Sequence, residues 1–438
     1  MAGFKNIKSF IDAFDAGQTK FASWRKQPTQ TTASNIWFDL SMSPGNPIPN
    51  YYIGVPGQFT RMARSTDSGI DHGGNVAPKT KHLKTFHAQT ATATAVPLTS
   101  ILYDCVGFYP FIDESVTGWQ YLDNTTTPSR YLADEPVATL GPELAVNGDM
   151  ASGTAGYTSY AGATITNVDG ALVATSTGTS AGANQVIAVD VGSTYVITYR
   201  LKEYVSAAGL PYFLGSASSG ATSIIGDYQG FIQQYGGSSV PSAFGLTRTI
   251  IFTARNSHVC CTFLLNGAAT VGDTISLEYL SLRKITKQGR NTGLSVMPIV
   301  VAAQIGGGFF AINYTNQDGI PNRVTFGFPM TTQSVNGTCL LPGAGGPFVQ
   351  LQQHDTGVRS IEAVQMLGAD IGLFAAALVR PIADHAIYDI TAPAERDYVI
   401  DSPSLPVIPD DAYLNLVVCP NGTLANAPIY GTIETIWN

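Results

Sequence analysis

The stretch "TYVITYRL" at residues 194–201 leaves a chain few ways to fold. Tyr195, Ile197, Tyr199 and Leu201 fall on one side of an extended backbone, and Val196, Thr198 and Arg200 on the other. A period of two suits a strand with unlike faces and no helix. "TRTIIFTA", "HVCCTFLL" and "TISLEYLSL" follow, separated by Gly, Ser and Asn. Short strands, recurrent turn signals and no helical period across 160–285 predict a β-sandwich.

Composition points the same way for the whole chain. Only 12% of residues are charged, about half the usual quarter. Gly, Ser and Thr fill the surface instead, which suits a mainly β protein with a neutral, assembly-prone exterior better than a highly charged helical enzyme. A chain of 438 residues exceeds one typical domain, so two or three are expected. The net charge of −8 is uneven: residues 1–90 hold ten Lys or Arg against five Asp, leaving −13 for the remainder. That asymmetry reads either as scatter or as a basic face toward an acidic partner. No Lys/Arg cluster supports direct nucleic-acid binding, and no apolar run reaches the roughly 18 residues of a membrane span. Asp12 and Asp15 interrupt what would be the apolar core of a signal peptide, so a soluble protein made inside a cell is expected. The five cysteines show no Cys-x-x-Cys spacing, which argues against a zinc or redox motif. Adjacent Cys260 and Cys261 would face opposite sides of a strand, with one buried as a small apolar residue.

At the N-terminus, Phe4, Ile7, Phe10, Ile11 and Phe14 recur at helical spacing and Gly17 provides a stop, predicting a short amphipathic helix. Its two readings are a helix packed on its own domain and an arm docked on a neighbouring subunit. Residues 18–75 read as irregular. Pro44, Pro47 and Pro49 rule out a helix or central strand in "SMSPGNPIPNYY", and a long loop of this kind suits wrapping a partner. A strand ending near Pro110 is expected in "TSILYDCVGFYPFID". Beyond residue 285, "VMPIVVAAQ" and "DIGLFAAALVRPIA" read as strands. "GGFFAINYTNQDGIPNRVTF" reads as a hairpin around Gln317-Asp318-Gly319, and "GVRSIEAVQML" as a helical turn or more.

The middle segment opens with "ELAVNGDMASGTAGYT" (143–158) and closes with "GDTISLEYLSLRKI" (272–285), with "GALVATST" and "VGSTYVITYRL" between. In these residues it resembles the jelly-roll carbohydrate-binding modules of the family-4/9 type. Members typically open on leucine, Asn-Gly-Asp-Phe and then Trp; here Met150 stands for the Phe and Tyr157 for the Trp. The family's structural calcium commonly uses an acidic residue of the closing strand. Glu278-Tyr279 and Asp273 replace that pattern here, and no metal site and no cofactor is expected. The flanks, through "WRKQPTQTTASNIWFDLSMSPGNPIPNYY", "GIDHGGNV", "YPFID", "MPIVVAAQ" and "GVRSIEAVQML", are similar to structural proteins of tailed bacteriophages encoded among head genes. The resemblance implies a split outer β-rich domain, 1–139 and 286–438, with an inserted β-sandwich of the jelly-roll type at 140–285.

Catalytic constellations are sparse. The six histidines have no zinc-ligand spacing. "HDTGV" (354–358) has the Asp-Thr-Gly of an aspartic protease without the second copy that chemistry needs. "QIGGGFF" lacks the Lys-Ser/Thr of a phosphate loop. The adjacent acids Asp113-Glu114 and Asp410-Asp411 do not make a glycosidase pair. No catalytic residue is assigned. The recognition candidates are Tyr204, Tyr212, Tyr228 and Tyr235 with Asp227, aromatic planes and a carboxylate in Gly/Ser-rich surroundings that suit a sugar ring. Filling the sandwich or a subunit interface is their alternative role. Candidates for capsid or subunit contact are Phe4, Ile7, Phe10, Ile11, Phe14, Trp24, Trp37, Pro44, Pro47 and Pro49. The expected protein is a non-enzymatic virion component of the phage head, made in the host bacterial cytoplasm. Its expected partners are the major capsid protein, itself (as a homotrimer) and host-surface glycans. A tail-fibre or baseplate receptor-binding protein and a carbohydrate-active enzyme with a binding module are the rival readings.

Overall fold

The structure is a computed structural model. It describes residues 4, 6–26, 31–40, 63–64, 81–122, 137–207, 209–216, 232–234, 245–266, 269–288, 293–331, 333–341, 345–401, 405–408, 412–424 and 428–437. The fold is mainly β, with one helix of more than a single turn among these residues, α1 at Ile7–Asp15. Among the described residues the strands form five sheets, and every pairing there is antiparallel.

Three sheets draw strands from both ends of the chain. In the first, Thr19–Lys26 pairs with Ile429–Trp437, which pairs with Lys81–Thr90. In the second, Leu98–Asp113 lies between Tyr413–Pro420 and Ile371–Ile387, and Ser295–Ile305 continues the sheet. In the third, Phe309–Asn316 pairs with Val358–Met366, which pairs with Gly118–Tyr121. These sheets enclose apolar cores around Phe86, Leu102 and Leu416, around Phe310, Tyr314 and Phe374, and around Trp37, Tyr103 and Met297.

The strands between Thr139 and Lys287 pair only with one another among the described residues, as two facing sheets. One sheet holds Thr194–Val205, Thr247–Thr253, Thr274–Lys287, Ala171–Thr175, Thr164–Val168 and Thr139–Glu143. The other holds Leu210–Ser216, Ile232–Gln234, His258–Asn266, Ala181–Ala188 and Thr158–Tyr160. Tyr195, Ile197, Tyr199 and Leu201, the face set by alternation, point into the core between the sheets. Tyr199 stacks on Phe213 of the facing sheet with centroids 3.7 Å apart. Met150 and Tyr157 plug the same core. The Asn-Gly-Asp turn has a steric cause as well: a Cβ on Gly148 would collide with the Leu280 carbonyl oxygen, and that close approach lets Leu280 N–H donate to the Gly148 carbonyl at 2.8 Å.

Four expectations are corrected. Residues 18–75 are not wholly irregular, because Thr19–Lys26 is a strand and Phe38–Asp39 a short one. The strand through "YPFID" does not stop at Pro110 but runs to Asp113. Pro110 falls in a bulge, between the Ala376–Tyr109 and Phe374–Ile112 pairs, where no ladder hydrogen bond is required of it. "GVRSIEAVQML" is a strand, Val358–Met366. Register shifts leave Arg359 and Glu362 as extra residues against Phe309–Asn316, which stretches the apolar period from two to three and imitates a helix. Finally, Cys260 and Cys261 are both buried. The hairpin around Gln317-Asp318-Gly319 forms as read, with Asn313 opposite Val324 and Tyr314 opposite Arg323.

Candidate functional site

The middle sandwich is held to the flanking sheets by a joint of definite chemistry. Arg323, on the short strand Arg323–Val324, is buried together with its partner Asp355, their side chains 1% and 0% exposed at 2.7 Å. Asp355 also accepts from the Tyr314 hydroxyl at 2.6 Å and the Asn316 amide at 2.8 Å. Three donors thus hold its carboxylate, and the Asp-Thr-Gly of "HDTGV" is a structural anchor here. Arg323 uses two further donors on the Gln353 carbonyl and, across the joint, on the Thr249 carbonyl, each at 3.0 Å. Thr249 N–H returns a bond to the Asn322 carbonyl at 2.7 Å. Beside this bridge Val196, Ile251, Ile285 and Ile320 form a small buried cluster, and the Arg248 guanidinium lies 5.7 Å from the Trp119 ring centroid. The joint engages the outer face of the sheet containing Thr247–Thr253. The other sheet of the sandwich is thus the one turned away from the flanking sheets.

The two ends of the middle segment meet. Thr139 lies opposite Lys287, Leu140 opposite Ile285 and Glu143 opposite Arg283. Glu143 closes the seam, its carboxylate accepting from the amides of Leu144, Ala145 and Leu282, from the Ser281 hydroxyl and from Arg283. Burial alone would raise its pKa, but the donors from Ser281, Ala145, Leu282 and Arg283 outweigh burial and lower it.

Of the predicted sugar-recognition tyrosines, the two on described strands, Tyr204 and Tyr212, lie on different sheets of the sandwich. Tyr204 pairs in register with Ile275 and packs against the sandwich core, so it faces inward and is removed from the recognition set. Tyr212 lies on the opposite sheet, in register between Leu264 and Gln234. Tyr228, Tyr235 and Asp227 lie outside the described residues. On the outer side of Tyr212's sheet, Asn184, Cys260, Thr262 and Leu264 are buried, and Asn184 accepts from the Thr158 hydroxyl.

The contact candidates divide in the same way. Trp24 and Trp37 are buried in this chain's own cores, which removes them from any partner surface. Trp24 stacks on Phe86 at 6.0 Å. Pro44, Pro47 and Pro49 lie outside the described residues. Helix α1 carries an N-terminal capping box, with Asn6 Oδ1 accepting from Ser9 N–H and the Asn6 amide donating to Ser9 Oγ, and Gly17 turns the chain at φ +68°. Of the two readings of the helix, the structure describes the packing on its own chain. Its inner side packs on its own chain, with Ala13 buried and Phe4 in edge contact with Phe10 and tilted against His82. Its outer side is an apolar stripe, Ile7, Ile11 and Phe14, at 67%, 48% and 48% exposure. Phe21, 62% exposed on the neighbouring edge strand, extends the surface. Phe21 lies opposite Glu434, Glu434 holds Lys84 at 2.7 Å, and Lys84 sits 4.8 Å from the Phe14 ring centroid. Helical spacing marks the stripe in the sequence; Phe21 falls outside that spacing because it lies on the strand Thr19–Lys26.

No family model matches the chain, and no curated protein does. Among solved structures, one described as "CBM4 structure and function" is 16% identical, covers 32% of this chain and 99% of its own, and superposes with a TM-score of 0.23. An infectious bursal disease virus structure (Gt strain) covers 96% of this chain and 80% of its own at 9% identity and a TM-score of 0.14. A subviral particle of that virus's VP2 protein is similar at 9% identity and a TM-score of 0.13, covering 96% and 81%.

Proposed function

We propose that this chain is a non-enzymatic structural protein of a phage virion, a capsid decoration or minor head protein that binds the shell and holds the middle sandwich outward. The observation that carries this reading is the stripe of Ile7, Ile11, Phe14 and Phe21, an apolar surface on a capped helix that is itself anchored to the body. Covering these four part-exposed side chains contributes about 1 kcal/mol each, or about 4 kcal/mol gross per copy. One such contact barely meets the roughly 4–15 kcal/mol cost of association, so the stripe suits a partner presented as a lattice, where copies reinforce one another. The basic balance of the first 90 residues favours an acidic shell protein, and self-association as a trimer would add further contact. The joint supports the display role, since it fixes the sandwich with one sheet turned away. Weak capture of host-surface glycans on that far sheet belongs to the same reading.

The test is the number of copies per particle in purified virions, counted by quantitative mass spectrometry against the major capsid protein. Hundreds of copies agree with shell decoration. Six to a few dozen would place the protein in the tail and overturn the reading.

A further inference from the structure

Two motifs that look idle in the sequence, the acids Asp113-Glu114 and the glycine run of "QIGGGFF", meet in the fold. Glu114 follows the strand Leu98–Asp113. Its N–H donates to the Gly372 carbonyl at 3.2 Å, and its carbonyl accepts from Asp370 N–H at 2.8 Å. Asp370 in turn is cradled by the glycine run, with Oδ2 accepting from Gly308 N–H at 3.0 Å and Oδ1 from Ile371 N–H at 2.8 Å. Gly306 is sterically required, because a Cβ there (φ +118°) would collide with Asp370 Oδ1.

Within this junction Glu114 is anomalous. It is 0% exposed, yet neither carboxylate oxygen has a hydrogen-bond partner. A buried carboxylate without donors is unfavourable unless something neutralises it, and Asp370, bonded to the Glu114 backbone, is itself an acid. Asp370 is also buried, and each of its oxygens holds one amide and keeps a lone pair for a second partner. Two carboxylates from separate elements, one with both oxygens open, are what a hard divalent cation uses and a soft metal does not.

We propose that Glu114 and Asp370 bind a calcium ion at the junction of the turn after Asp113, the glycine run and the turn at 370–372. Among the described residues no group of three or more metal-ligating side chains occurs. Backbone carbonyls and water would complete the six to eight oxygens that calcium takes, and the affinity belongs in the weak class, with a Kd of about 10⁻⁴–10⁻³ M. Bound calcium would neutralise Glu114 and tie three loops of the flanking sheets together. The site is separate from the middle sandwich and from the calcium pattern of the modules it resembles.

The experiment uses the full chain after chelation and dialysis. Thermal unfolding is followed with 5 mM calcium chloride, 5 mM magnesium chloride or neither, and calcium uptake is measured by equilibrium dialysis. Calcium is expected to raise the unfolding midpoint by about 2–6 °C, magnesium by less, with one site titrating in the expected range. Glu114→Gln and Asp370→Asn should each abolish the shift. Glu114→Gln should be at least as stable as the calcium-free parent, because it removes a buried charge without changing shape. Absence of calcium uptake by the parent chain overturns the proposal and leaves a shared proton as the neutraliser. Uptake that is unchanged in both variants overturns it too, since calcium then binds elsewhere. The dialysis result on the parent chain stands even if a variant fails to fold.

Discussion

Replacing Arg323 by Met removes the group that joins the sandwich to the flanking sheets while keeping most of its volume. Three bonds are lost: the 2.7 Å pair with Asp355 and the 3.0 Å bonds to the carbonyls of Thr249 and Gln353. The pair is buried, so the loss is governed by Asp355, which is left charged and out of water with Tyr314 and Asn316 as its remaining donors. Breaking such a pair on one side costs about 3–5 kcal/mol, whereas replacing both partners by apolar groups is often close to neutral. The single variant Arg323→Met, with Asp355 intact, should therefore be destabilised by about 3–5 kcal/mol in urea unfolding. The double variant Arg323→Met/Asp355→Leu should recover part of that loss, leaving the cost of Tyr314 and Asn316 without their acceptor. Proteolysis at the joint, near Thr249 and Asn322, should accelerate in the single variant. A loss below about 1 kcal/mol with unchanged proteolysis would refute the joint as described, because no buried charge would then depend on Arg323.

Other consequences are open to direct measurement. Changing Ile7, Ile11 and Phe14 together to Ser should leave the unfolding midpoint almost unchanged, because these side chains face solvent, but should lower occupancy on particles by about 100-fold, at about 1 kcal/mol per side chain; unchanged occupancy counts against the stripe as the contact. Gly148→Ala should destabilise the sandwich by about 1–3 kcal/mol, as the Leu280 carbonyl occupies the place of the new methyl group, which urea unfolding of the full chain will show. In the native protein a thiol reagent should label at most Cys419, because Cys105, Cys260, Cys261 and Cys339 are buried and burial raises the thiols of Cys260, Cys261 and Cys339; rapid labelling of two or more would contradict that packing. A glycan array probed with the full chain tests the far sheet, with Tyr212→Ala as the control; any binding that Tyr212→Ala leaves intact removes Tyr212 from the recognition set.

What the sequence made legible follows from the range of the forces involved. The mainly β fold is written locally, in alternations such as residues 195–201 and in the turn at Gln317-Asp318-Gly319. The opening plugs Met150 and Tyr157 were recognisable by resemblance and lie in the core. The strand at Thr19–Lys26 was hidden because its partner, Ile429–Trp437, lies some 400 residues away. Val358–Met366 reads as helical in sequence because two bulges disguise its period. Tyr204 and Tyr212 look like neighbours at eight residues' separation, but the chain passes from one sheet to the other between them. The Arg323–Asp355 joint could not be read at all. Thirty-two residues of separation say nothing about proximity, and its acid came disguised as a protease motif.

The central claim is that residues 140–285 form a self-contained sandwich set into a body built from both flanks. Deleting 140–285 and bridging Thr139 to the residue after Ile285 with a short Gly-Ser link tests it most directly, because the ends already lie on paired strands. The account predicts a soluble, cooperatively unfolding product with strand content preserved by circular dichroism, and a separately expressed 140–285 fragment that also folds. An insoluble or molten deletion product, beside a fragment that fails to fold alone, would contradict it.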